Sequence, residues 1–91
     1  MPDKVHCAHI LVKSESEAKA VLERLEKGEK FGNVARALSR CPSGKKGGDL
    51  GTFTRGKMVK EFETTAFALQ KGQISGIVKT QFGFHIIKRL E

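Results

Sequence analysis

Polar and apolar positions alternate from Val5 to Lys13, the period of a β-strand. Val5, Cys7, His9 and Leu11 fall on one side; His6, Ala8, Ile10 and Val12 fall on the other. Both sides are largely apolar, which places this strand inside a sheet covered on both faces. The period then lengthens to that of a helix. Ser14-Glu15-Ser16-Glu17 reads as a capping box: the Ser14 hydroxyl takes an orphan N–H and the Glu17 carboxylate reaches back. Ala18, Val21, Leu22 and Leu25 follow at helical spacing, and Gly28 is the stop. Glu15/Lys19 and Glu23/Lys27 are expected to form exposed pairs. Phe31, Val34, Ala35 and Leu38 repeat the spacing in a shorter helix, ended by Cys41-Pro42 because a residue before proline avoids the helical region.

Ser43 to Gly51 is rich in Gly and Lys and reads as a loop, with positive φ or close backbone approach at Gly47, Gly48 and Gly51. A short strand is expected over Gly51 to Thr54. A third helix runs from Lys60 to Leu69, with Phe62, Ala66 and Leu69 inward and Gly72 closing it. Ile77 to Lys79 is a short strand, Gln81-Phe82-Gly83 a turn, and Phe84 to Leu90 the last strand. The order β-α-α-β-α-β-β predicts an α+β domain, one small and mainly antiparallel sheet with helices packed on it. The 41–50 loop has room for one extra short helix. With no repeat and no linker, 91 residues make a single domain spanning 1–91.

Composition narrows the class. Hydrophobic content of 38% against 30% charged residues suits a soluble globular fold and argues against disorder. No apolar run approaches the roughly 18–20 residues that span a bilayer. Met1-Pro2-Asp3-Lys4 has no signal-peptide pattern, so a cytoplasmic location is expected. Cys7 and Cys41 are too few for a disulfide framework and match no zinc spacing; two reduced thiols are the simple reading. The net charge of +7 gathers between Arg36 and Lys60, at Arg36, Arg40, Lys45, Lys46, Arg55, Lys57 and Lys60. Such a patch attracts phosphate or acidic peptide and allows weak binding to anionic surfaces. Nucleic-acid binding as the main task is disfavoured, because the chain has no Tyr or Trp to stack on bases.

His9 and His85 each interrupt an apolar strand, Ala8 to Val12 and Phe84 to Ile87. A buried imidazole needs partners for both ring nitrogens, and the simplest solution is that the two meet across neighbouring strands. A structural role and a functional one are equally compatible with that pattern. Cys41 with the two histidines also allows a cysteine hydrolase or a metal site. No oxyanion hole is recognisable, and three ligands scattered over the chain lack paired spacing, so both are minor alternatives.

Four strings, in order, carry a resemblance. They are His9-Ile10-Leu11-Val12-Lys13; Gly47-Gly48-Asp49-Leu50-Gly51 with Phe53; Met58-Val59-Lys60-Glu61-Phe62; and Gln81-Phe82-Gly83-Phe84-His85-Ile86-Ile87. From about Val5 to Leu90 the chain resembles the parvulin (rotamase) family, most closely its small free-standing bacterial and archaeal members. The resemblance implies a four-stranded antiparallel sheet surrounded by helices, and peptidyl-prolyl cis/trans isomerase activity in protein folding. It implies a monomer acting on proline-containing peptides or unfolded proteins, without cofactor or metal. His9 and His85 match the family's histidine pair. Cys41 matches a position held by cysteine in some members and aspartate in others. Leu50, Met58 and Phe62 match the proline pocket, Thr80 a hydroxyl beside the histidines, and Phe82 a variable pocket wall. In one respect the chain departs: phosphate-directed parvulins carry a long basic insertion after the first strand, whereas here Lys13 runs straight into Ser14. Lys13 alone makes no arginine-rich phosphate clamp, so no strict phospho-Ser/Thr preference is expected. A non-catalytic peptide-binding module is the competing class.

Overall fold

The strand read from the first alternation is the spine of the domain in the computed structural model, which describes residues 4–91. β1 (Lys4–Val12) pairs with β2 (Asp49–Thr54) on one side and β4 (Gly83–Arg89) on the other, and β3 (Val78–Thr80) lies outside β4. All three pairings are antiparallel, in the order β2-β1-β4-β3. The expected four-stranded α+β architecture is therefore present, with β1 central.

Each face of β1 builds half of the core. Ala8, Ile10 and Val12, with Ile86 of β4, pack against Ala18 and Val21 of α1 (Glu15–Glu26) and against Phe31, Val34 and Ala35 of α2 (Phe31–Leu38). Val5 and Cys7, with Ile87 and Phe53, pack under Phe62, Ala66 and Leu69 around α3 (Lys60–Ala68). Ile10, Ile86 and Ile87 are completely buried, so truncating any of them to Ala would cost about 2–5 kcal/mol. The helices cover the sheet because two apolar faces of one strand cannot be solvated at once.

Several local expectations shift. The 41–50 loop does hold a short helix, one 3₁₀ turn over Pro42–Lys46. Pro42 opens it, since proline presets the helical φ and has no N–H to strand there. α2 stops earlier, at Leu38, and Ser39 is already extended. The Ser14 hydroxyl caps the Glu17 N–H at 3.2 Å, but the Glu17 carboxylate accepts from that hydroxyl and pairs with Arg40. Among the described residues neither expected i,i+4 pair of α1 closes; Arg24 pairs with Glu29 instead, tying the helix end to its loop. α3 ends at Ala68, with Leu69 already extended, before Gly72, whose N–H donates to the Arg89 carbonyl. That bond, with Ser75 to Ile87 and the bridge between Ile74 and Lys88, extends the pairing of β4 irregularly beyond β3.

Candidate active site

Register brings the histidines together. His9 lies opposite Ile87 and Leu11 opposite His85, so the imidazoles are diagonal neighbours on the α3 face of the sheet. Thr80 continues the diagonal onto β3, where Val78 opposes His85 and Thr80 opposes Gly83. The His9 and His85 Nδ1 atoms are 3.0 Å apart, and the rings stack at 5.2 Å with 21° between planes. Thr80 Oγ1 lies 2.7 Å from His85 Nε2, and Ser43 Oγ lies 3.2 Å from His9 Nε2. Four side chains from three strands and the 3₁₀ turn thus form one hydrogen-bonded row.

The row has a preferred polarity. Thr80 Oγ1 also accepts the Phe82 backbone N–H at 3.1 Å. If His85 Nε2 donated as well, the buried Thr80 hydroxyl hydrogen would have no acceptor in the row. The satisfied arrangement has Thr80 donating to His85 Nε2, His85 Nδ1–H donating to His9 Nδ1, and His9 Nε2–H donating to Ser43. Both rings are neutral in it. Burial pulls His9 down from 6.5 to about 4, with repulsion from His85 adding to the shift. Burial also lowers His85.

Two glycines let the backbone deliver these groups. Gly48, at φ +83°, brings its carbonyl to the His9 N–H at 2.9 Å; a Cβ there would sit 2.3 Å from the His9 carbonyl oxygen. Gly51, at φ +73°, lies where β2 sets two residues, Leu50 and Gly51, against one of β1, Cys7, a bulge between the His6 and Ala8 pairings. Bulges re-aim side chains, and Leu50 beside Gly51 lines the site cavity.

That cavity, of about 270 Å³, gathers His9, Cys41, Leu50, Met58, Phe62, Phe82 and His85. Phe62 stands edge-on to both imidazoles, 5.6 Å from His9 and 5.4 Å from His85. Phe82 is 61% exposed and forms the outer rim. Thr80 does not line the cavity; it supports His85 from behind. Sequence reasoning missed Ser43, Val59 and Lys57, the last two also on the cavity wall. Ser43 lay in a Gly- and Lys-rich loop with no periodicity, and only the unassigned second nitrogen of His9 pointed to such a partner.

The chemistry of the row differs from that of a hydrolase. All four imidazole nitrogens have partners among one another, Ser43 and Thr80, and none of these partners is the Cys41 sulfur. Both thiols are free, and burial under α3 pushes Cys7 up to about 11, leaving it inert. Among the described residues no three His, Cys, Asp or Glu are grouped to hold a metal ion. The basic stretch between Arg36 and Lys60 divides. Arg36 and Lys46 line a separate cavity with Lys30 and Lys88, Arg40 pairs with Glu17, Arg55 lies 4.2 Å over the Phe67 ring, and Lys57 faces the site.

A neutral, saturated imidazole pair beneath an apolar cavity suits a catalyst that grips a ring without bonding to it. Residues 9–91 match the rotamase family, described as the PPIC-type PPIase domain, and the chain belongs to that family. It is a peptidyl-prolyl cis/trans isomerase domain of the small parvulin type. Among curated relatives it is 52% identical over 86 residues to the foldase protein PrsA of Geobacillus kaustophilus, covering 93% of this chain and 31% of the relative. The chain spans about a third of the PrsA relatives it matches. Among solved structures, the parvulin NmPin of Nitrosopumilus maritimus is 52% identical with a TM-score of 0.89, covering 100% of this chain and 99% of the other. The archaeal CsPin of Cenarchaeum symbiosum is 58% identical with a TM-score of 0.86, over 100% and 95% of the two chains. PrsA from Bacillus subtilis superposes with a TM-score of 0.95 at 46% identity, over 98% of this chain and 35% of that one.

Proposed function

We propose that this domain accelerates X-Pro rotation in unfolded or partly folded polypeptides, by a non-covalent route and with no strict need for phosphate on the substrate. The observation that carries this reading is the apolar wall of Leu50, Met58 and Phe62 directly over the hydrogen-bonded histidine pair. Rotation about a peptide bond faces a barrier of about 18–20 kcal/mol, set by loss of amide resonance. No bond to carbon need break. The twisted amide carries less charge on oxygen than the planar one, so a site poor in water disfavours the planar ground state. Leu50, Met58 and Phe62 grip the pyrrolidine ring, and a pocket shaped to the twisted amide binds that state more tightly, which is the source of rate.

In this reading His9 and His85 hold the floor of the site, Thr80 and Ser43 lock the ends of the row, and Cys41 lies beside the substrate carbonyl. Lys57 is the one fixed cation among the residues lining the cavity, too little for a bidentate phosphate clamp. The domain acts as a monomer: among the described residues the large exposed apolar side chains are Ile74 and Phe82, and light scattering checks the state. Its place is the cytoplasm, consistent with two free thiols and tested by cell fractionation. Lys30, Arg36, Lys46 and Lys88 around their own cavity support weak, salt-sensitive attraction to anionic surfaces. The deciding experiment is an NMR exchange or protease-coupled assay on short X-Pro peptides. Peptide binding without faster exchange would convert the reading to a non-catalytic peptide-binding module.

A further inference from the structure

Beside the proline cavity lies a second one, of about 500 Å³, lined by Lys4, Thr52, Phe53, Thr54 and Lys57. It runs along β2, an outer strand of the sheet, whose second hydrogen-bonding edge has no strand partner among the described residues. Lys57 lines both cavities, the one residue they share. Among the described residues, no carboxylate lines either of them. The four ion pairs among the described residues leave out Lys57 and Lys4. The carboxylate at the far end of β2, Asp49, is taken up by His6 and the Gly51 N–H.

The turn that carries Lys57 is pinned where the Gly56 N–H donates to the Glu63 carboxylate of α3, and where the Arg55 guanidinium stacks on Phe67. A cation carried on a pinned turn beside both a proline pocket and a hydroxyl-bearing groove has the chemistry to receive a carboxylate. The Thr52 and Thr54 hydroxyls can donate to the same group.

We infer that this groove is a second substrate subsite, which takes an Asp or Glu side chain of the polypeptide whose proline occupies the adjoining pocket. The inference rests on the isomerase reading. The shared lysine keeps the acidic residue within roughly three residues of the proline, about 10 Å of extended chain. An exposed lysine gives a preference and not a requirement, on the order of two- to fivefold in kcat/KM, and salt weakens it.

The test is an exchange assay on peptides of one sequence, in which a Glu is moved from three residues before the proline to three after it, each against its Gln counterpart. The full chain is used, at low salt and again at about 0.5 M, where the Debye length falls to a few ångströms. The expected result is about two- to fivefold faster turnover for Glu at one or two adjacent positions, lost at high salt and in Lys57→Gln. Lys57→Glu should reverse the preference, favouring Lys over Gln at those positions. Equal acceleration of every Glu and Gln peptide overturns the subsite and leaves the isomerase reading intact. No acceleration of any peptide overturns both. A Glu preference that survives in Lys57→Gln places the acidic site elsewhere and overturns this assignment.

Discussion

Acid should loosen this domain well before its carboxylates titrate, and the buried imidazoles set the size of the effect. Unfolded, His9 takes a proton near 6.5; folded, it refuses one down to about 4. Between those values the unfolded chain binds more protons, so stability falls as pH falls. The contribution is complete above pH 6.5 and is lost progressively down to about pH 4. At about 1.4 kcal/mol per pH unit, the shift from 6.5 to about 4 amounts to about 3 kcal/mol, of which about 2 kcal/mol is gone at pH 5. Burial moves His85 in the same direction, which adds to the loss. Asp49, lowered from 3.8 by the Gly51 N–H and then by His6, contributes stability that is present above 3.8 and lost below it, so it does not obscure the window. The measurement is urea unfolding at pH 7.5, 6 and 5 in a His6→Gln background, which removes the third imidazole. At pH 5.5 unfolding should draw in about 0.9 proton through His9 alone. Stability flat from pH 7.5 to 5, or either remaining imidazole titrating near 6.5 in the folded protein, would refute a buried neutral pair.

Other outcomes are expected from the same geometry. Met58→Ala, at a half-buried position on the cavity wall, should lower kcat/KM roughly tenfold while leaving the melting temperature nearly unchanged; full activity would remove Met58 from the proline grip. Cys41→Asp should retain much of the turnover, and complete loss would restore a covalent role for the thiol. In ¹⁵N-resolved spectra His9 should carry its proton on Nε2 and His85 on Nδ1; the opposite pair of tautomers would reverse the polarity of the row. Gly48→Ala should cost about 3 kcal/mol or more in urea unfolding, since its Cβ meets the His9 carbonyl in a left-handed backbone; a cost below about 1 kcal/mol would show that the strand gives way easily.

The sequence by itself determined the elements, the centrality of β1 and the two-sided core. Val5 to Val12 alternates between two apolar faces, and such a strand has a stable place only between two covering layers. It also marked His9 and His85, because a polar group inside an apolar run must find a partner. Naming Cys41, Leu50, Met58, Phe62, Thr80 and Phe82 took the ordered strings of a known family, since no period in the chain connects them. Tertiary structure alone decided how these residues meet. The diagonal contact of the histidines depends on the register of β1 against β4, in which a slip of one residue would turn each side chain to the opposite face. Ser43 reaches His9 only because the chain from Arg40 to Gly48 folds along the upper half of β1, with Gly48 pressed against the His9 backbone. Lys57 likewise read as one of seven basic residues gathered between Arg36 and Lys60. Its place between two cavities follows from the turn pinned by Glu63 and from the position of β2 at the sheet edge. Local period records which side of a strand or helix is apolar; it carries no information on which distant residue arrives opposite, and that pairing is where the polarity of the site and the placement of its charge arise.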